Sequence, residues 1–122
     1  MKNIENPYKY NENYLKHIIK WFPQIIFSLD NPSEELYIRA VKSCPLLIEH
    51  IENPTEKIQL ACVVAYGELI MYIKNPSIEV QKKAILQNPY ALEFIEDQTE
   101  EIVNFALSCN PKVIKVVKTK EE

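Results

Sequence analysis

The chain has 122 residues, 47% hydrophobic and 25% charged, with a formal net charge of −3. That suits a single soluble domain with a real core. The negative balance argues against a general attraction to nucleic acid, and no apolar run nears the about 18 residues of a membrane span.

Residues 1–8, "MKNIENPY", read as a polar lead-in without the apolar centre of a signal peptide, so a cytoplasmic protein is expected. From Lys9 onward the chain falls into rows of 22 residues: 9–30, 31–52, 53–74, 75–96 and 97–118, followed by a tail over 119–122. Asn31, Asn53, Asn75 and Asp97 share the first column. Ser33, Thr55, Ser77 and Thr99 share the third, and Pro23, Pro45, Pro89 and Pro111 share the fifteenth, where Gly67 is the exception. Leu29, Ile51, Ile73, Ile95 and Val117 share the twenty-first. So many aligned columns define an internal repeat.

Each row starts a helix. In "NPSEE" (31–35), Asn31 is the expected N-cap, Pro32 takes the first helical position, and Glu34 lies in the first turn. This helix is expected to run ten to twelve residues. The second proline of the row then starts a shorter helix of seven or eight, with Asn88-Pro89 and Asn110-Pro111 pairing cap and proline. On a helical wheel the inward face of the first helix carries Leu36, Ala40, Val41 and Cys44, repeated as Ile58, Cys62, Val63 and Tyr66. Val80, Ala84 and Ile85 follow, then Ile102, Ala106 and Leu107. The small column Ala40, Cys62, Ala84 and Ala106 marks the closest helix approach. Leu47, Ile48 and Ile51, like Leu69, Ile70 and Ile73, face inward from the second helix. One such unit cannot cover its own apolar face but a stack can. The expected fold is therefore all-α: an α-solenoid of about five helix-turn-helix repeats in one domain, 9–118.

Catalytic signatures are sparse. Gly67 is the single glycine, which leaves no glycine-rich phosphate loop. His17 and His50 are far apart, and Cys44, Cys62 and Cys109 are unclustered, so neither a metal site nor a disulfide framework is expected. The pairs Glu34/Glu35 and Glu100/Glu101 sit in first turns, where they favour the helix dipole. No catalytic residue and no cofactor is assigned.

Two surfaces are candidates for a partner. The eighth, ninth and twelfth columns supply Lys16, His17 and Lys20, then Ile38, Arg39 and Lys42, then Leu60, Ala61 and Val64, then Lys82, Lys83 and Leu86. A basic face thus turns apolar in its middle, and Ile38, Leu60, Val64 and Leu86 within a rim of Arg39, Lys42, Lys82 and Lys83 suit a protein interface. The second surface is the twentieth column, with His50, Tyr72 and Phe94, joined by Tyr90. If exposed, this partly aromatic ladder suits stacking or a partner's apolar side chains.

The phrase "NPSEE", followed by "AV", a proline turn and paired isoleucines, resembles the short helical repeats of uncharacterised bacterial and phage proteins. More distantly it resembles HEAT repeats and the leucine-rich-repeat variant. The resemblance implies binding through an extended surface and no catalytic machinery. The expected function is a non-catalytic protein–protein interaction module, an adaptor or inhibitor. Lysine outnumbers arginine thirteen to one and Ile and Asn are abundant, which reads as the coding bias of an AT-rich genome; with the small size, that bias fits a phage or mobile-element inhibitor of a host enzyme. A nucleic-acid binder using Lys16, Lys20, Arg39, Lys42, Lys82 and Lys83 is the alternative, weakened by a single arginine. The apolar last row, with Val113, Val116 and Val117, leads to the further expectation of a homodimer.

Overall fold

The computed structural model describes residues 11–118, so the lead-in over 1–8, the opening of the first row and the tail over 119–122 lie outside the described residues. Within 11–118 the chain forms ten helices and no strand. They alternate in type. Five α-helices, α1 (Glu12–Ile18), α2 (Glu34–Ser43), α3 (Glu56–Val63), α4 (Ile78–Gln87) and α5 (Glu100–Cys109), are each followed by a 3-10 helix. The latter are η1 (Pro23–Ser28), η2 (Pro45–His50), η3 (Gly67–Tyr72), η4 (Pro89–Phe94) and η5 (Pro111–Val116). The repeat is therefore an α/3-10 pair, with second helices of six residues in place of the longer ones expected. Two tight turns suffice because the inward positions fall within a short span: Leu47, Ile48 and Ile51 are buried, as are Leu69, Ile70 and Ile73.

The helix starts differ from the expectation by two residues. The caps are Ser33, Thr55, Ser77 and Thr99, whose hydroxyl oxygens accept the N–H of Leu36, Ile58, Val80 and Ile102 at 3.2–3.3 Å. Asn31, Asn53 and Asn75 stand outside the helix with φ of 56°, 51° and 50°. A following proline disfavours the right-handed helical region at the residue before it, and asparagine tolerates the left-handed one better than most residues. The Asn-Pro pair is thus the turn into the row, and the hydroxyl residue is the cap.

Three of the four cap hydroxyls also spend their protons on the preceding row. Ser33 Oγ donates to Glu12 Oε2 at 2.6 Å, and Thr55 and Ser77 donate in the same way to Glu34 and Glu56. One short segment therefore closes its own helix and ties it to its neighbour.

Elements touch within a row or between adjacent rows: each α-helix lies on the next, each 3-10 helix from η2 onward on the next, and the core runs between the two layers. The small column Ala40, Cys62, Ala84 and Ala106 is fully buried, as expected. Burial pushes the Cys62 thiol up to about 12. Cys44 and Leu107 are only half-buried, and Tyr66 is exposed. Tyr66 departs from the inward face because α3 stops at Val63, which places it in the turn ahead of η3.

At Gly67 the absence of a side chain is a matter of space. A Cβ there would lie 2.2 Å from the Ala84 carbonyl oxygen of the next row. Its N–H donates to Gln87 Oε1, a bond that the proline of the other rows cannot make.

The last row is closed by a side chain. Gln98 Nε2 donates to Leu92 O at 2.8 Å and Val116 O at 3.2 Å, and Gln98 Oε1 accepts the Lys118 N–H at 2.8 Å. Val113 is fully buried, with Val116 and Val117 half-buried.

Candidate functional site

The α-helical surface is narrower than its columns suggest. Ile38 and Leu60 are half-buried and pack against the core, because the eighth column lies on the flank where adjacent α-helices meet. Val64 and Leu86, one turn further along their rows, are 53% and 60% exposed. Arg39, Lys42 and Lys83 are exposed and Lys82 is half-buried.

Acidic neighbours already engage part of this basic rim. Arg39 Nε and Nη2 both donate to Glu35 Oε2 at 3.3 Å, and Lys16 Nζ lies 3.2 Å from Glu35 Oε1. The Lys16 ammonium, with Arg39, holds the Glu35 carboxyl below its ordinary range despite the opposing effect of desolvation. Lys82 Nζ pairs with Glu101 at 2.9 Å and lies over the Phe105 ring, 5.5 Å from its centre. A lysine ladder with carboxylates woven into it is a poor track for a phosphate backbone.

The second surface is partly open. His50, Tyr72 and Phe94 are exposed on the outer side of the 3-10 layer. His50 meets the Phe27 ring edge to face, with centroids 6.4 Å apart, and its Nε2 lies 4.0 Å from Glu49 Oε1. Tyr90 does not join this ladder: it is half-buried against the core, with the Lys115 ammonium 5.9 Å from its ring centre.

Tyr72 and Phe94 also line a groove of about 750 Å³ formed by the turns that open the fourth and fifth rows. Met71, Ile78, Gln81 and Thr99 line it as well, and none of them stood out in the sequence as a site residue. One signal was available: Ile78 occupies the fourth column, which otherwise reads Glu12, Glu34, Glu56 and Glu100.

Among the described residues no three His, Cys, Asp or Glu side chains are grouped so as to hold a metal ion, and no helix is long and apolar enough to cross a membrane. Cys44, Cys62 and Cys109 are free thiols. Comparison with family models, with curated proteins and with solved structures finds no match to the chain.

Proposed function

We propose that this solenoid is a non-catalytic protein-binding module, an adaptor or an inhibitor of its partner, working in the cytoplasm. The observation that carries the proposal is the pair Val64 and Leu86, exposed at equivalent positions of adjacent rows. Two large apolar side chains held on stacked helices, with Arg39, Lys42 and Lys83 exposed on the same set of columns, match an apolar interface centre within a charged rim. Three free thiols suit a reducing compartment. The small size and coding bias support a narrower form, a phage or mobile-element inhibitor of a host enzyme.

The test is the double variant Val64→Glu, Leu86→Glu. It is expected to melt with the parent, since both side chains are exposed, and to lose a partner that the parent captures from lysate. A partner retained by the folded double variant would move the interface off this face.

A further inference from the structure

Among the described residues seven large apolar side chains are more than half exposed, and six of them share one edge of the stack. They are Trp21, Phe22, Leu46, Val64, Tyr66 and Leu86; the seventh is Ile114 in the last row. The edge is the line along which the α-helix of each of the first four rows gives way to its 3-10 helix. Every junction along it carries a contact between neighbouring turns. Ser43 Oγ donates to Lys20 O, the Cys62 thiol lies 3.7 Å from Pro45 O, and Gln87 and Asn88 engage Gly67 and Glu68. The six side chains therefore stand on one continuous strip. With packed helices about 8–10 Å apart, four rows make it roughly 24–30 Å long.

Charge sets the strip apart from its surroundings. In the neighbouring columns Lys16, Arg39 and Lys82 each have a carboxylate partner. Lys20 and Lys42, on the strip in the first two rows, are exposed and have none among the described residues. The Lys20 ammonium lies 5.4 Å from the centre of the Trp21 ring, which places its charge on the strip itself. In the four turns, residues 20–24, 42–46, 64–68 and 86–90, Glu68 is the one acidic residue, and its Oε1 already accepts an N–H of Asn88. A chain with a net charge of −3 thus keeps an apolar edge with unpaired cations at one end.

An occupant has to cover a strip two side chains wide, at Trp21 with Phe22 and at Val64 with Tyr66, and bring anionic groups beside Lys20 and Lys42. A helix with apolar residues at i, i+3, i+4 and i+7 and glutamates flanking them does both. Aliphatic Leu46, Val64 and Leu86 offer no stacking face to bases, and two lysines are few for a phosphate track or an anionic bilayer. We infer that the partner docks an acidic amphipathic helix along this strip. The inference rests on the reading of Val64 and Leu86 as an interface and extends that interface to Trp21, Phe22, Leu46 and Tyr66.

Trp21 is the single tryptophan, so its fluorescence reports coverage of the strip. The probe is three repeats of Leu-Glu-Gln-Leu-Leu-Gln-Glu, blocked at both ends, which as a helix is about 30 Å long. Titrated into the full chain, it is expected to give a saturable blue shift of the Trp21 emission. The control peptide, with Lys in place of each Glu, should bind roughly tenfold more weakly or worse, although the net charge of the chain favours it in bulk. Leu46→Ser and the pair Lys20→Glu, Lys42→Glu alter exposed side chains, so both variants are expected to melt near the parent. Each is read against its own unliganded emission. Leu46→Ser should weaken the glutamate peptide several-fold, and the charge reversal should invert the preference between the two peptides.

The inference is overturned if neither peptide shifts Trp21, if the lysine peptide binds as well as the glutamate peptide, or if a folded Leu46→Ser variant binds unchanged. A shift produced by phosphatidylserine vesicles or by poly-thymidylate, and not by the glutamate peptide, would assign the strip to a lipid surface or to nucleic acid instead. The underlying reading fails separately. A lysate partner lost by Val64→Glu, Leu86→Glu without any peptide binding removes the acidic helix and keeps the protein-binding face. A partner retained by that folded variant removes the face itself.

Discussion

Gly67 shows how one residue can depart from a repeat for a reason that lies in the next row. Proline suits the fifteenth column because it starts a tight helix without needing its N–H, and four rows use it. In the third row the Ala84 carbonyl comes too close for any Cβ, and Gln87 offers an acceptor that only an N–H can use. Gly67→Ala is therefore expected to destabilise the protein by about 1–3 kcal/mol through overpacking. Gly67→Pro should cost more, because it loses the hydrogen bond as well. Denaturant midpoints measure both, and a neutral Gly67→Ala would mean that the Ala84 carbonyl can yield. The outlier was visible in the sequence, but its cause was not, since it depends on a backbone atom 17 residues away.

At the level of the element, the period of 22 was legible because each row must bury the same columns against the next. The helix starts were misplaced because Asn, Ser and Thr are all capping types, and Pro32 matches a first helical position as well as it matches a turn. The 3-10 character of the second helices was not legible either: over six residues, Leu47, Ile48 and Ile51 face inward on either kind of turn. The rungs between rows are a tertiary feature and give a sharp expectation. Thr55→Ala removes a cap and the bond to Glu34, whereas Thr99→Ala removes a cap alone. Loss of the cap should cost about 1 kcal/mol in each case. The Thr55 change should cost more, and a double-mutant cycle with Glu34→Ala should give a coupling of about 0.5 kcal/mol or above. Zero coupling would make the rung a bystander.

For the whole molecule, stability is a chain of neighbour contacts, so it is expected to vary along the stack. The helix-to-helix contact of α1 with α2 is the sparsest of the series, while the far end is held by Gln98 and Lys118. Native-state hydrogen exchange should therefore find α1 opening first, with α3 and α4 slowest. Gln98→Ala should lower protection in η5 selectively. Uniform protection would show that the rows unfold as one unit. The candidate faces were only half legible at this scale. A wheel drawn for an isolated helix leaves Ile38 and Leu60 in solvent, and only the adjacent rows show that they pack. The groove needed still more: Ile78 and Thr99 are 21 positions apart, and nothing local marks them as partners.

The unbroken register also bears on how such a gene can change length. Excising residues 53–74 joins Glu52 directly to Asn75, so the Asn-Pro turn follows the row before it as it did in the longer chain. Ser77 would then face Glu34 in place of Glu56, and the same rung would re-form between new neighbours. Not every contact would transfer: Gln87, for example, would meet Pro45, which has no N–H to offer. Recombination between rows can thus lengthen or shorten the stack by whole units, and mismatched side-chain pairs such as this one would record where a join had taken place.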